Sequence, residues 1–350
     1  MDLRRIWLSA LLLSALSLPS PAAEDTGQTL ARSAAAPLQG RTIPPLVLTT
    51  IDGDALDLGA VRGRKALYLE FWATWCTPCR EQMPHLKAVQ RSAGHDLQVV
   101  AVNIGFDDTP AQVAAYRAEH GLRMPVVRDG DGRLGALFGL RVTPQHVVVG
   151  KDGRILHVGH RADSKLDDAL ASARSQPAVP AGGSVGKVIG TGDDRLRAGD
   201  RAPARRLRTL EGFEVALADP THRRDTVLVF LSPWCESYFA VTRPASARRC
   251  RRVRELMVGH GRERRVRWLG IASGLWATQD DLRDYRNAWR VPVPLTLDAD
   301  GSLFRRFGVR SLPAVVVLGA DGRVARRMEG ETLDGGALEA LPTLEQRAAR

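Results

Sequence analysis

Cysteine is scarce in this chain of 350 residues: there are four. That is too few for a disulfide-stapled scaffold, so the core must be held by burial of apolar side chains. Lysine is nearly as rare. Lys65, Lys87, Lys151, Lys165 and Lys187 are the whole set, so arginine supplies most of a formal net charge of +11. A surplus of that size raises nucleic acid as a partner. Its near-confinement to arginine reads instead as compositional bias, and the N-terminus argues for export, so no nucleic-acid partner is expected. The run Arg248, Arg249, Arg251, Arg252 and Arg254 reads as a solvated helix face. Long apolar runs are also missing beyond Ile6 to Leu18, so no other stretch is suited to crossing a bilayer.

That one apolar run has the anatomy of a secretory signal. Arg4 and Arg5 precede it, and Ser20-Pro21-Ala22-Ala23 closes it with small residues. The expected division is a signal peptide over 1–23 and a flexible segment over 24–41, in a soluble protein of the periplasm. The apolar core is short for a membrane span, and no cysteine stands near its end to take a lipid. An uncleaved N-terminal anchor is the competing reading.

The four cysteines are unevenly placed, and two of them form Trp75-Cys76-Thr77-Pro78-Cys79. An apolar run, Ala66 to Trp72, reads as a strand before this motif, and a helical pattern follows from Arg80. A helix N-terminus stabilises a thiolate, which makes Cys76 the expected nucleophile. Cys79, one turn further in, is placed to resolve a mixed disulfide formed at Cys76. Three other readings compete. Zinc would want four ligands, and Cys235 and Cys250 do not repeat the C-x-x-C spacing. A c-type haem would need His where Arg80 stands. A structural disulfide would close too small a loop to stabilise much. No metal and no cofactor are expected.

The chain also repeats itself. Ile51-Asp52-Gly53 recurs as Leu210-Glu211-Gly212, and Phe71 to Cys76 recurs as Phe230 to Cys235 at constant spacing. Phe138-Gly139 to Pro144 matches Phe307-Gly308 to Pro313, and Asp152-Gly153-Arg154 matches Asp321-Gly322-Arg323. Between cysteine and proline the second copy is longer by about a short helix. Two related domains are therefore expected, over 42–175 and 198–345. Residues 176–197, with Pro177, Pro180, Gly182-Gly183-Ser184 and Gly190-Thr191-Gly192 and no apolar periodicity, read as a linker that leaves the domains free to move. Within copy one, strands at Leu97 to Ile104 and Gln145 to Val149 alternate with a helix at Pro110 to His120, an α/β layer pattern. An Asp-Gly turn closes a final hairpin.

These residues carry a resemblance. Glu70 to Arg80, Met83-Pro84, Met124 to Asp129 and Val142-Thr143-Pro144 make copy one resemble the TlpA/ResA-like thioredoxin family of exported thiol-disulfide oxidoreductases. The resemblance implies two tandem thioredoxin-like domains, each a central mixed β-sheet flanked by helices. It implies that Pro144 is cis and lies against the cysteine pair, with Thr143 and Trp75 on the substrate surface. It places a buried acid at Glu70, whose raised pKa would let it pass a proton as Cys79 becomes a nucleophile. A solvent-facing strand residue is the alternative for Glu70.

Copy two keeps Cys235 and Pro313 but has Tyr238 for the second cysteine and Val229 for the acid, so a C-x-x-C cycle is impossible there. Cys250 can reach Cys235 only if Pro244 breaks the intervening helix; unbroken, it would hold them about 22 Å apart. The implied activity is reduction or isomerisation of disulfides in periplasmic protein substrates, with a membrane-bound thiol donor restoring the dithiol and domain two serving docking or regulation. A redox-sensing binding protein is the alternative from another class. A peroxiredoxin-like peroxidase at Cys235, suggested by Ser232-Pro233-Trp234-Cys235, is a third reading.

Overall fold

The computed structural model describes residues 21–179, 187–188, 195–219, 224–262, 266–336 and 338. Residues 1–20 of the expected signal segment lie outside them. Helix α1 (Pro21–Ala35) comes first. Then follow β1 (Leu46–Thr49), β2 (Ala55–Asp57), α2 (Leu58–Val61), β3 (Ala66–Trp72), α3 (Thr77–Ser92), β4 (Leu97–Asn103) and α4 (Pro110–His120). The first half ends with β5 (Val126–Arg128), α5 (Arg133–Leu137), β6 (Gln145–Val149), β7 (Ile155–Gly159) and α6 (Ser164–Ser175). Its main sheet has the order β5-β4-β3-β6-β7, with β3 parallel to β4 and antiparallel to β6. A strand with neighbours on both sides and both faces covered should be apolar throughout, and every residue of β3 is buried.

The second half repeats this plan. After β8 (Lys187–Val188) come β9 (Arg206–Arg208), β10 (Glu214–Ala216), β11 (Thr226–Leu231), α7 (Cys235–Thr242), α8 (Pro244–His260) and β12 (Arg267–Ser273). The chain continues through α9 (Gln279–Trp289), β13 (Leu295–Asp298), α10 (Ser302–Arg306), β14 (Ala314–Leu318) and β15 (Val324–Glu329). The sheet order β13-β12-β11-β14-β15 matches the first strand for strand. The duplication extends to helix caps: Asp129 accepts the N–H groups of Leu134 and Gly135, and Asp298 accepts those of Leu303 and Phe304. The extra length of copy two sits where α3 becomes the pair α7 and α8.

Two expectations need correction. Residues 24–41 are not a loose segment, because most of α1 lies there. Leu30, Ala31 and Ala34 form one apolar stripe and are buried, Leu30 and Ala31 in a cluster with Val142. The expected linker is also partly ordered. Its Lys187–Val188 pairs in parallel with Leu46 and Val47 of β1, and the Val179 N–H donates to the Gly63 carbonyl. No helix among the described residues is long and apolar enough to cross a membrane.

Candidate active site

The β3–α3 junction positions the cysteine pair. Strand β3 runs out at Trp72, and four residues later Cys76 caps α3, its Sγ receiving the Cys79 N–H at 3.2 Å. Pro78 occupies the first turn, where a helix does not need its missing N–H. Cys76 and Cys79 are joined as a disulfide, with Cα atoms 5.3 Å apart. The Thr143–Pro144 bond is cis, and the Thr143 carbonyl oxygen lies 3.4 Å from the Cys76 sulfur. The loop before β6 therefore meets the helix N-terminus at the nucleophile.

Glu70 faces the interior. It is fully buried in β3, and neither carboxyl oxygen has a hydrogen-bond partner among the described residues. Burial alone pushes its pKa up to about 8, because the charged form loses its water without gaining a donor.

In copy two, Cys235 and Cys250 are bonded, with Cα atoms 6.3 Å apart. The helix does break between Thr242 and Pro244: Arg243 adopts φ −144° and ψ 64°, and α8 folds back along α7. The Leu312–Pro313 bond is cis, as its counterpart is. Val229 stands in β11 at the place of Glu70, so that strand position offers no acid.

The two halves meet at these faces, which the sequence did not announce. Trp75 was expected on a substrate surface but is 2% exposed. Its ring packs on Trp234 at 5.9 Å, Tyr238 at 6.0 Å and Phe239 at 5.4 Å, all from the second half. The Thr77 N–H donates to the Tyr238 hydroxyl at 3.0 Å. The Arg243 guanidinium donates to Asp108 Oδ1 at 2.9 Å and to Thr74 Oγ1 at 2.6 Å. Cys76 and Cys79 have no exposed surface.

The contacts are reciprocal. The Trp75 indole N–H donates to the Phe106 carbonyl, and that of Trp234 to the Leu275 carbonyl, the matching place in copy two. The Asp107 N–H donates to the Arg310 carbonyl at 2.7 Å, and the Trp276 N–H to the Arg141 carbonyl at 2.9 Å. Asp107 and Trp276 share positive φ values, 53° and 56°, unusual for residues with side chains. Each half thus offers the loop after its second central strand to the other half's cis-proline loop, as self-complementary surfaces do about a two-fold axis. Aligning the copies past the insertion would have paired Asp107 with Trp276. Nothing in either sequence says that the loops exchange.

A family model described as Redoxin matches residues 38–173. The thioredoxin-like protein YneN of Bacillus subtilis is 30% identical over 47% of this chain and 96% of its own length. The thiol-disulfide oxidoreductase ResA of Bacillus anthracis is 26% identical over 37% of this chain and 76% of its own. A solved thiol:disulfide interchange protein of the thioredoxin family from Chlorobium tepidum is 24% identical, with a TM-score of 0.33, covering 39% of this chain and 98% of that one. A relative matched over nearly its whole length, on a thioredoxin-like sheet that carries a Cys76–Cys79 disulfide, settles the placement: through its N-terminal half the chain belongs to the TlpA/ResA-like thioredoxin family of thiol-disulfide oxidoreductases.

Proposed function

We propose that the first domain reduces or isomerises disulfides of exported proteins by cycling Cys76 and Cys79 between dithiol and disulfide. The observation that carries this reading is the pair's placement, at the N-terminus of α3 and beside the cis-proline loop. In the dithiol state the helix N-terminus and the Cys79 N–H favour a thiolate at Cys76. That thiolate attacks one sulfur of a substrate disulfide; the other sulfur leaves with the bond's electron pair and takes up a proton. Cys79 passes its proton to the carboxylate form of Glu70 and attacks the Cys76 sulfur; the second substrate sulfur leaves with that bond's electron pair and takes up a proton from solvent, Glu70 returns its proton to solvent, and the substrate departs as a dithiol. Two electrons and two protons have then moved to the substrate, and a membrane-bound thiol donor returns them. Pro144 and Thr143 orient the incoming segment, and Trp75 borders it.

Export rests on the signal-like residues 1–23, and it makes periplasmic proteins the substrate class. The second domain, lacking an acid and a second motif cysteine, serves docking or regulation. A Cys79→Ser chain should accumulate mixed disulfides at Cys76, whose partners identify the substrate by mass. A chain that traps nothing, and whose wild-type form leaves insulin disulfides intact, would remove this reading.

A further inference from the structure

A thiol that must touch a substrate sulfur cannot do so from a site with no exposed surface. What covers this one is specific. The Trp276 indole N–H donates to Thr143 Oγ1 at 3.1 Å, beside the cis proline. The Trp276 backbone N–H holds the Arg141 carbonyl, and the Arg141 side chain reaches back to the carbonyls of Gly274 and Ala277 at 3.1 and 3.4 Å. The ring stands edge-on to His160, centroids 5.2 Å apart. A short segment bound through its backbone along Arg141 to Thr143 is held as a captured polypeptide would be.

On the reading of Cys76 as the nucleophile for protein disulfides, we propose that the second domain is an intramolecular cap. It keeps its own Gly274–Ala277 segment in the groove where substrate binds, and substrate reaches Cys76 only after the domains part. Helix α7 closes the other side of the motif with Tyr238 and Phe239, and Arg243 pins that side to Asp108. Beside this contact lies an open cleft of about 460 Å³ bordered by Phe106, Arg141, Leu275 and Arg310. Residues 176–197 join the halves in sequence, so the chain stays continuous when they part.

Iodoacetamide labelling of the reduced full-length chain, read by peptide mapping, measures access to Cys76. At pH 7 the larger thiolate fraction at a helix N-terminus offsets the weaker nucleophilicity of a low-pKa sulfur, so a tenfold slowing there, on the order used below, marks burial. Wild-type Cys76 should react at least about tenfold more slowly than a free cysteine peptide. Trp276→Ala and Arg243→Ala should each restore at least about tenfold, with Cys79 still protected. A wild-type rate equal to the peptide's overturns the cap, and so does a slow wild type whose variants stay equally slow. Should one substitution unfold the chain, Cys79 would be labelled along with Cys76, and the other variant, on the far side of the motif, decides.

Insulin reduction separates this proposal from the reading beneath it. Faster labelling in the variants, with no insulin reduced by any form, keeps the cap and removes the reductase. Insulin reduced as fast by wild type as by both variants removes the cap alone.

Discussion

Glu70 shows how much a single side chain can say. A carboxyl in the middle of Ala66 to Trp72 breaks an apolar strand, and its cost is evident in advance; the structure adds that none of the described residues hydrogen-bonds it. Its pKa of about 8 in the fold lies above the value of 4.5 for a free side chain. The folded chain therefore holds a proton that the unfolded chain releases. The resulting stabilisation is complete below about pH 4.5 and is lost as pH rises through about 8. Glu70→Gln keeps the shape and removes the titration. Between pH 6 and pH 9 the wild type should lose stability that the variant keeps, on the order of 2 to 3 kcal/mol, measured by urea unfolding at each pH. The same variant should slow release of the mixed disulfide on the order of 100-fold and flatten the rise of that rate through pH 8. A variant with the wild-type pH profile in both measurements would show that Glu70 neither titrates near 8 nor serves Cys79.

At the scale of elements, the sequence was legible wherever a local rule decides. The apolar run gave β3, the expected boundaries of α4 and β6 coincide with the observed ones, and Asp152-Gly153 forms the hairpin turn with Gly153 at φ 83°. The break at Pro244 is also local, and it delivers Cys250 to Cys235. Helix α1 was missed because its alanines resemble the small-residue tail of a signal, and its stripe gains meaning only beside Val142. Between α7 and α8 the disulfide closes a loop with a sequence separation of 15. A loop of that size restrains the unfolded chain by about 3 kcal/mol. Cys235→Ala/Cys250→Ala should lower the stability of the chain by about that amount in denaturant titrations, while Cys76 and Cys79 still form their disulfide. An unchanged midpoint would mean that packing alone holds α8 onto α7.

The whole molecule carries what neither copy reveals by itself, because complementarity between two surfaces is not a period, a turn or a motif. Trp75 and Trp234 could each be read as the neighbour of a cysteine, but not as each other's partner. One apolar cluster now runs through both halves, from Trp75, Cys76 and Phe138 to Phe230, Phe239 and Phe304. A shared core couples the unfolding of its parts, so calorimetry on the wild type should record a single transition despite two sheets and a linker. Trp234 packs on Trp75, Tyr238 and Phe239 at 5.9, 5.6 and 5.4 Å, in the middle of that contact. Trp234→Ala removes those rings' common partner at about 3 kcal/mol. The loss falls on the contact between the sheets rather than on either sheet, so the single transition should split in two, the first half keeping the higher midpoint. Two separated transitions already present in the wild type would mean that the halves touch without sharing their stability, and the cap would then open at little cost.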